Sequence, residues 1–371
     1  MKKKVLILSA SEGHASLAEA IKGVVEESFL VREVKLINDF GFYQFFYRFL
    51  PSTFKWVWEL GNRKVARELI ELYVDERHAD KIRQEIKRYS PDLVVTTYFL
   101  YQYELNRLRQ ENDFRWINIV HDPVSILPME VARDADYNFG FGREMVEVGL
   151  KEGIERQKLV EVGWLVREEF YKDLTLRERN QILVRWGLET NKRTMVVCGG
   201  SEGTNVILKI LPDLMDERVG QQFQIIFVAG SNRLLKRTVE KLEVFMKKTN
   251  KLVPKIKVFG FTTKMPDILR VADVVVGKAG PNLLFESVAA KKPFVAITHI
   301  EGQESGNLDL IRKHKLGWVT EKRKEFKSWL KEVLDNPSLL SQWDDYLAKM
   351  ARRNWQGLQK TKTIIEELLN E

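Results

Sequence analysis

The chain has 371 residues, of which 44% are hydrophobic and 30% charged, and its formal net charge is +8. This length predicts two domains, and the composition excludes a disordered or fibrous protein. The single cysteine, Cys198, excludes an internal disulfide and fits a reducing compartment. We find no secretory signal and no apolar run of roughly 18 residues that could cross a bilayer, so a cytoplasmic location is expected. The basic charge fits nucleic acid, anionic lipid or anionic small molecules equally well.

Short apolar runs alternate with helical patterns along most of the chain. A first series of strands is predicted at residues 5–8, 31–37, 93–97, 116–120, 137–141 and 159–162. A second series is predicted at residues 194–198, 225–229, 255–259, 274–276 and 294–297. Strands that alternate with helices predict an α/β protein with parallel sheets, helices covering both faces of each sheet.

The restart of this pattern predicts two Rossmann-like domains, at residues 1–163 and 164–350. The amphipathic segment 351–371 is predicted to be a helix that packs back on the first domain. Ligands of such sheets bind at the carboxyl ends of strands, so two facing sheets would place the ligands in a central cleft.

The first strand is followed by the sequence Ser-Ala-Ser-Glu-Gly-His, which ends at His14. Small residues allow a ligand to approach this turn, and His14 could take a proton from an acceptor hydroxyl near neutral pH. The alternative is a turn histidine without a role. The position at a strand end favours function.

A glycine-rich loop follows the first strand of the second domain. Its residues Gly200, Ser201, Gly203 and Thr204 offer backbone N–H groups and hydroxyls that would suit a phosphate or pyrophosphate. It is not a Walker loop, because no Gly-Lys-Ser/Thr follows. The alternative is a tight connection between strand and helix.

A third motif lies at the end of the strand predicted at 274–276. Lys278, Ala279, Gly280 and Pro281 precede a predicted helix that contains Glu286, which could bind a ribose diol. The alternative for Glu286 is a solvated helix position. Further on, three polar residues could bind sugar hydroxyls: Gln303, Glu304 and Asn307.

The segment 40–58 is dense in aromatic residues and is interrupted by Pro51. The side chains that could meet a membrane are Phe42, Phe45, Phe46, Phe49, Trp56 and Trp58, followed by the basic Arg63 and Lys64. A buried pair of core helices explains the same pattern equally well. Asp134 and Asp136 have the Asp-x-Asp spacing of some metal–nucleotide sites, but we interpret them as a surface loop.

Residues 258–307 resemble the donor-binding half of the monogalactosyldiacylglycerol synthase and processive diacylglycerol glucosyltransferase family. A more distant similarity is to the peptidoglycan lipid-intermediate N-acetylglucosaminyltransferase. The shared residues are Gly260, Phe261, Met265, Lys278 to Pro281, Glu286, Gly302 to Glu304 and Asn307, together with the Gly-His turn and its Ala-Glu-Ala-Ile helix. The resemblance implies a GT-B fold and inverting transfer of a hexose from UDP-glucose or UDP-galactose to diacylglycerol, with no obligatory metal or other cofactor.

The resemblance also implies residue roles. Phe261 would face the uracil, Glu286 the ribose, and the loops at Ser201 and Gly280 the pyrophosphate. Gln303 and Glu304 would face the hexose, and His14 would be the base or would orient the acceptor. Asp122 could assist His14, or His121 could share its role.

The chain departs from the family pattern at three places: Ser11-Glu12 stand before the Gly-His pair, Asn282-Leu283 follow Pro281, and His121 precedes Asp122. Alternative functions are N-acetylglucosamine transfer to a polyprenyl-linked acceptor, sugar epimerisation, or silent binding of a UDP-sugar or lipid. The expected location is the cytoplasmic face of a membrane with an anionic surface. We find no nucleic-acid recognition motif.

Overall fold

A computed structural model gives the structure of residues 2–10, 12–36, 76–199, 205–248 and 253–370. The chain divides into two compact units. Unit 1 contains Met1–Arg167, Ile300–Gly306 and Arg353–Glu371, and unit 2 contains Glu168–His299 and Asn307–Arg352. The short segment 300–306 therefore clusters with unit 1, although the sequence pattern assigned it to the second domain.

Unit 1 is built on a six-stranded parallel sheet in the order β2-β1-β3-β4-β5-β6. Its strands are β1 Lys4–Ser9, β2 Leu30–Lys35, β3 Leu93–Thr96, β4 Arg115–Ile119, β5 Tyr137–Gly140 and β6 Leu159–Glu161. Its helices are α1 Glu12–Val25, α2 Glu76–Tyr89, α3 Gln102–Leu108 and α4 Arg143–Lys151. All of β3, and all of β1 after its first residue, is buried, as expected for a parallel sheet with helices on both faces.

Unit 2 contains a second six-stranded parallel sheet in the order β12-β11-β10-β7-β8-β9. Its strands are β7 Arg193–Cys198, β8 Phe223–Val228, β9 Ile256–Phe259, β10 Val274–Lys278, β11 Phe294–Thr298 and β12 Gly317–Val319. The helices that follow unit 1's first four are α5 Leu176–Arg185, α6 Leu211–Leu214, α7 Glu217–Gln222, α8 Arg233–Lys248, α9 Met265–Val271, α10 Pro281–Ala289, α11 Ser305–Lys313, α12 Arg323–Asp335 and α13 Asp344–Asn370. The predicted fold class, two parallel α/β sheets, is confirmed.

Two elements differ from the sequence pattern. Helix α1 begins at Glu12 rather than near residue 16, so that His14 lies in its first turn. The pattern favoured a turn there because glycine is a poor helix former, but packing of α1 against the sheet outweighs that preference. Strand β12 was not predicted, because three residues are too few to show a period.

The last part of α13 packs on the edge of the unit 1 sheet. Asn354 is buried, and its Oδ1 accepts a hydrogen bond of 3.1 Å from the backbone N–H of Trp164. One turn later, Gly357 lies so close to the Val162 carbonyl that a Cβ on Gly357 would overlap with it. In the part of the chain that the structure describes, none of the helices is both long and apolar enough to cross a membrane.

The close approach of α13 predicts that Gly357→Ala destabilises the protein. Overpacking costs about 1–3 kcal/mol, which exceeds the ~1 kcal/mol that alanine gains over glycine in a helix. Gly23→Ala in α1 is a matched control, because its Cβ would have no described atom within 4 Å. We expect chemical denaturation to show a lower free energy of unfolding for Gly357→Ala and an equal or higher one for Gly23→Ala. Equal stability of the two variants would contradict this packing.

Candidate functional site

The strand order of unit 1 reverses between β1 and β3, which makes the carboxyl ends of these strands the expected ligand site. His14 follows β1, Thr97 and Tyr98 follow β3, and the pair His121–Asp122 follows β4. The fold therefore gathers side chains that are more than one hundred residues apart in sequence.

A hydrogen bond to the backbone determines the protonation pattern of His14. Its Nδ1 lies 2.5 Å from the carbonyl oxygen of Thr97. A carbonyl only accepts, so Nδ1 carries the proton and donates, and in the neutral ring Nε2 holds the lone pair. The ring is also packed edge-on against Tyr98, with 4.8 Å between ring centroids. These two contacts fix the orientation of the His14 ring, with its lone pair on Nε2.

Burial keeps both histidines of this cluster neutral. His14 is 9% exposed, and burial lowers its pKa to about 4, although the bond to Thr97 acts in the opposite direction. The ring of His121 lies 4.1 Å from that of His14. Burial, and then repulsion from His14, lower the pKa of His121 well below its usual value. Neutral His14 can accept a proton at physiological pH.

Two buried carboxyl groups flank the ring of His121. Its Nε2 lies 3.6 Å from Asp122 Oδ2, and its Nδ1 lies 3.8 Å from Glu130 Oε2. Burial, together with the negative charge of Asp122, raises the pKa of Glu130 well above its usual value. A shared low-dielectric site disfavours two negative charges, so Glu130 is the group that retains its proton.

Glu130 was not found from the sequence. It lies in a short 3-10 turn, Pro128–Glu130, where its Oε1 accepts a 2.8 Å hydrogen bond from the backbone N–H of Leu127. Its Oε2 is buried and has no hydrogen-bond partner among the residues whose placement is given. A single glutamate in an irregular segment gives no periodic signal, so only the tertiary structure reveals it.

The atoms of His121, Asp122 and Glu130 lie within 4.8 Å of one another, so the three residues could hold a metal ion. However, the two carboxyl groups face different nitrogens of the same imidazole ring. A metal would occupy only one of those nitrogens. One nitrogen and the two carboxyl groups are enough for a metal ion, and the same three groups could instead form a proton network.

The segment 300–306 contributes to this cluster. The Gln303 amide Nε2 lies 3.3 Å and 3.4 Å from the two oxygens of Asp122. A Cβ on Gly306 would lie 2.6 Å from Val124 Cγ1, so glycine permits the close approach of this segment. Glu304 is buried and its Oε2 accepts a hydrogen bond from the N–H of Ile300. Gln303 thus contacts Asp122, whereas one Glu304 oxygen accepts a hydrogen bond from the backbone of its own segment.

In unit 2 the strand order reverses between β7 and β10. Lys278 ends β10, Gly280 is the N-cap of α10, and Pro281 is the first residue of that helix. Asn307 is fully buried and its Nδ2 donates a 2.8 Å hydrogen bond to the carbonyl oxygen of Ala279. This bond holds the loop that leads into α10, and the helix N-terminus can bind an anion.

The other predicted donor residues of unit 2 occupy its strand ends and helices. Asn282 and Glu286 lie on α10 and are half-buried. Met265 begins α9, and Phe261, two residues after β9, is 67% exposed. An aromatic residue so exposed at a strand end is free to contact a ligand.

Several predicted site residues lie outside the described part of the chain. These are Gly200, Ser201, Gly203 and Thr204 of the glycine-rich loop, and Phe42, Phe45, Phe46, Phe49, Trp56, Trp58, Arg63 and Lys64 of the aromatic segment.

The Asp-x-Asp pair serves the fold of unit 1. Asp136 Oδ2 accepts a 2.6 Å hydrogen bond from the backbone N–H of Trp116 and its Oδ1 accepts one from Arg109. Arg109 also donates to the backbone carbonyl of Asp134. These bonds hold the start of β4, so Asp136 has a structural task.

Residues 194–368 match the family described as the glycosyltransferase family 28 C-terminal domain. This segment belongs to that family. The chain is 24% identical over 346 residues to monogalactosyldiacylglycerol synthase 1 of Arabidopsis thaliana, covering 87% of this chain and 63% of that protein. It is 22% identical over 295 residues to the processive diacylglycerol beta-glucosyltransferase of Bacillus subtilis, covering 78% of this chain and 72% of the relative.

The fold is shared with solved structures. Anabaena HepE in complex with UDP-glucose aligns with a TM-score of 0.60 at 13% identity, over 99% of this chain and 100% of that one. This likeness confirms the predicted GT-B class. The family 28 segment, with these relatives, confirms the resemblance seen in residues 258–307.

The geometry of His14 predicts its titration. By NMR, we expect the His14 ring to remain the neutral Nδ1–H tautomer as the pH falls, until it takes up a proton at about pH 4. In the unfolded chain the imidazole takes a proton near pH 6.5, so this group reduces folding stability as the pH falls from 6.5 towards 4. His14→Gln identifies the signal. Titration near 6.5, or an Nε2–H tautomer, would contradict the burial and the bond to Thr97.

If the His121 cluster acts as a proton network and holds no metal, any transferase activity of this protein is expected to survive EDTA. Loss of activity in EDTA with recovery in Mn²⁺, abolished by Asp122→Asn together with Glu130→Gln, would instead establish a metal at the cluster. Manganese dependence abolished by changing Asp134 and Asp136 would assign the metal to the Asp-x-Asp pair.

Proposed function

We propose that the protein is an inverting glycosyltransferase that moves a hexose from a UDP-sugar to the hydroxyl of diacylglycerol. The observation that carries the proposal is the His14 bond to Thr97, which leaves Nε2 as a proton acceptor at the strand-end site of unit 1. The family 28 segment of unit 2 supports a sugar-nucleotide donor. The relatives that act on diacylglycerol support the acceptor. The chain spans 63% of the length of the plant relative. The activity of this chain is therefore part of the proposal.

In the proposed reaction, the acceptor oxygen attacks the anomeric carbon of the sugar while His14 Nε2 takes the hydroxyl proton. The bond between the anomeric carbon and the phosphate oxygen breaks, and UDP leaves with the electron pair. The N-terminus of α10 at Gly280 stabilises the charge of the departing diphosphate. Asp122 and the neutral His121 stabilise the imidazolium that forms on His14, because one carboxylate in a buried site attracts the new positive charge.

The donor is proposed to be UDP-glucose or UDP-galactose. HepE binds UDP-glucose on the same fold, and β7 and β10 meet where such donors are expected. Phe261, Glu286 and Asn282 would line the nucleotide, and Gln303 would contact the hexose. No metal or other cofactor is required in this scheme.

The lipid acceptor is proposed to reach the enzyme from the cytoplasmic face of a membrane. The aromatic segment 40–58 with Arg63 and Lys64 has the composition of an interfacial anchor. Partition to a surface would place the diacylglycerol hydroxyl near unit 1 without extracting the whole lipid into water.

The first experiment supplies diacylglycerol vesicles and either radiolabelled UDP-glucose or UDP-galactose to the purified protein. We expect labelled glycolipid from one donor. Label in a polyprenyl-linked product with UDP-N-acetylglucosamine would favour the other lipid acceptor. UDP binding without any product would favour a silent binder.

His14→Ala is expected to lower turnover by about 100-fold or more while UDP binding is kept, because general base catalysis contributes this much. His314→Ala is the matched control, since His314 follows α11 in unit 2 and is not among the predicted site residues. Turnover within about twofold of wild type in His14→Ala would refute the proposed base.

A further inference from the structure

Helix α8 of unit 2 presents apolar side chains to solvent. Leu234 is 75% exposed, Val244 54% and Phe245 62%. Its inward positions Leu235 and Val239 are buried, so the helix is anchored to the unit by its opposite side. The exposed apolar residues thus do not contribute to the core of the unit, and their exposure needs another explanation.

The exposed side chains of α8 share one face. Leu234, Lys241, Phe245 and Lys248 are spaced by seven, four and three residues, which places them along a single stripe of the helix. At 1.5 Å per residue the stripe extends over about 21 Å. We call this stripe, with the adjacent Arg237 and Val244, the α8 face.

The charge of the α8 face has one sign. Among the described side chains of α8, the exposed charged groups are Arg233, Arg237, Lys241 and Lys248, all of them basic. The two acidic residues of the helix, Glu240 and Glu243, are half-buried. Glu240 lies 3.6 Å from Lys236, and the helical spacing places Glu243 on the side of the helix opposite Leu234. The α8 face therefore combines large exposed apolar groups with exposed basic groups.

A second helix of unit 2 has similar apolar exposure but fewer basic groups. Helix α5 exposes Leu176 at 71% and Val184 at 64%, and its exposed charged residues are the basic Arg177 and Arg185 and the acidic Glu178. The two helices thus have similar apolar exposure and different charge. This difference makes α5 a matched control for the α8 face.

We propose that the α8 face is a second membrane-contact surface, which lies on an anionic lipid bilayer. An amphipathic helix with basic and large apolar residues on its outward side binds in the plane of the headgroups. The four basic groups are attracted to anionic lipid, and Leu234 and Phe245 insert between the headgroups. This surface belongs to unit 2 and is a different part of the sequence from the aromatic segment 40–58.

The test is co-flotation of the full chain with phosphatidylcholine vesicles, with and without phosphatidylglycerol, and with no sugar donor present. We expect binding to the anionic vesicles that weakens as salt is raised. Leu234→Ser with Phe245→Ser should weaken binding by about tenfold or more. The variant loses the favourable free energy of moving the leucine and phenylalanine side chains from water into the bilayer. Arg237→Glu with Lys241→Glu should weaken binding to the anionic vesicles and abolish most of the salt dependence.

The control is Leu176→Ser with Val184→Ser on α5, which should bind like the wild type. Wild-type binding by both α8 variants, with loss of binding on changing Phe42 and Phe46, would assign all membrane contact to unit 1 and overturn the proposal. An equal loss of binding in the α5 control would also overturn the proposal. So would displacement of the protein from the vesicles by RNA, if changing Arg237 and Lys241 abolished that displacement. Because no donor is present, failure of the proposed transfer reaction leaves this result unchanged.

Discussion

The hydrogen bond from His14 Nδ1 to the Thr97 carbonyl joins the ends of two strands, and the chemistry proposed for unit 1 depends on it. β1 and β3 pair directly in the sheet, so the loops that follow them leave on the same edge. Helix α1 begins within three residues of β1, which places His14 in its first turn above that edge. Without this bond the ring could rotate or change tautomer, and Nε2 would lose its defined position.

The environment of this bond explains the charge state of the cluster. Burial disfavours charge on His14, His121 and Glu130, and the nearby Asp122 further raises the pKa of Glu130. One carboxylate and two neutral imidazoles then remain. Such a site is prepared to accept one proton, because the positive charge formed on His14 would reduce the electrostatic imbalance created by Asp122.

Much of the architecture could be predicted from the sequence, since runs such as residues 5–8 and 194–198 have the apolar character of buried parallel strands. His14 and Gly280 were predicted as site residues because each follows such a strand, whereas Asp122 was predicted from the family resemblance. Glu130 and the contact of Gln303 with Asp122 could not be found. Both depend on distant parts of the chain meeting in space, and neither Pro128–Glu130 nor the segment 300–306 has a period or motif that specifies its partner. The α8 face was missed for a different reason: a helical pattern shows which residues share a face, but not which face the protein covers.

The segment 300–306 belongs to unit 1, although the residues before and after it belong to unit 2. It leaves β11 in unit 2, clusters with unit 1, and returns to unit 2 at Asn307. Gln303 contacts Asp122, and Asn307 holds the loop before α10.

The most direct test of the central claim is the pH dependence of kcat/KM for glycolipid formation. The proposed base is neutral in the free enzyme and has a pKa of about 4. We therefore expect kcat/KM to be maintained well below pH 6.5 and to fall only at about pH 4. The acidic limb should be absent from the residual activity of His14→Gln. A limb near pH 6.5 that remains unchanged in His14→Gln would show that another group takes the proton, and it would contradict the account.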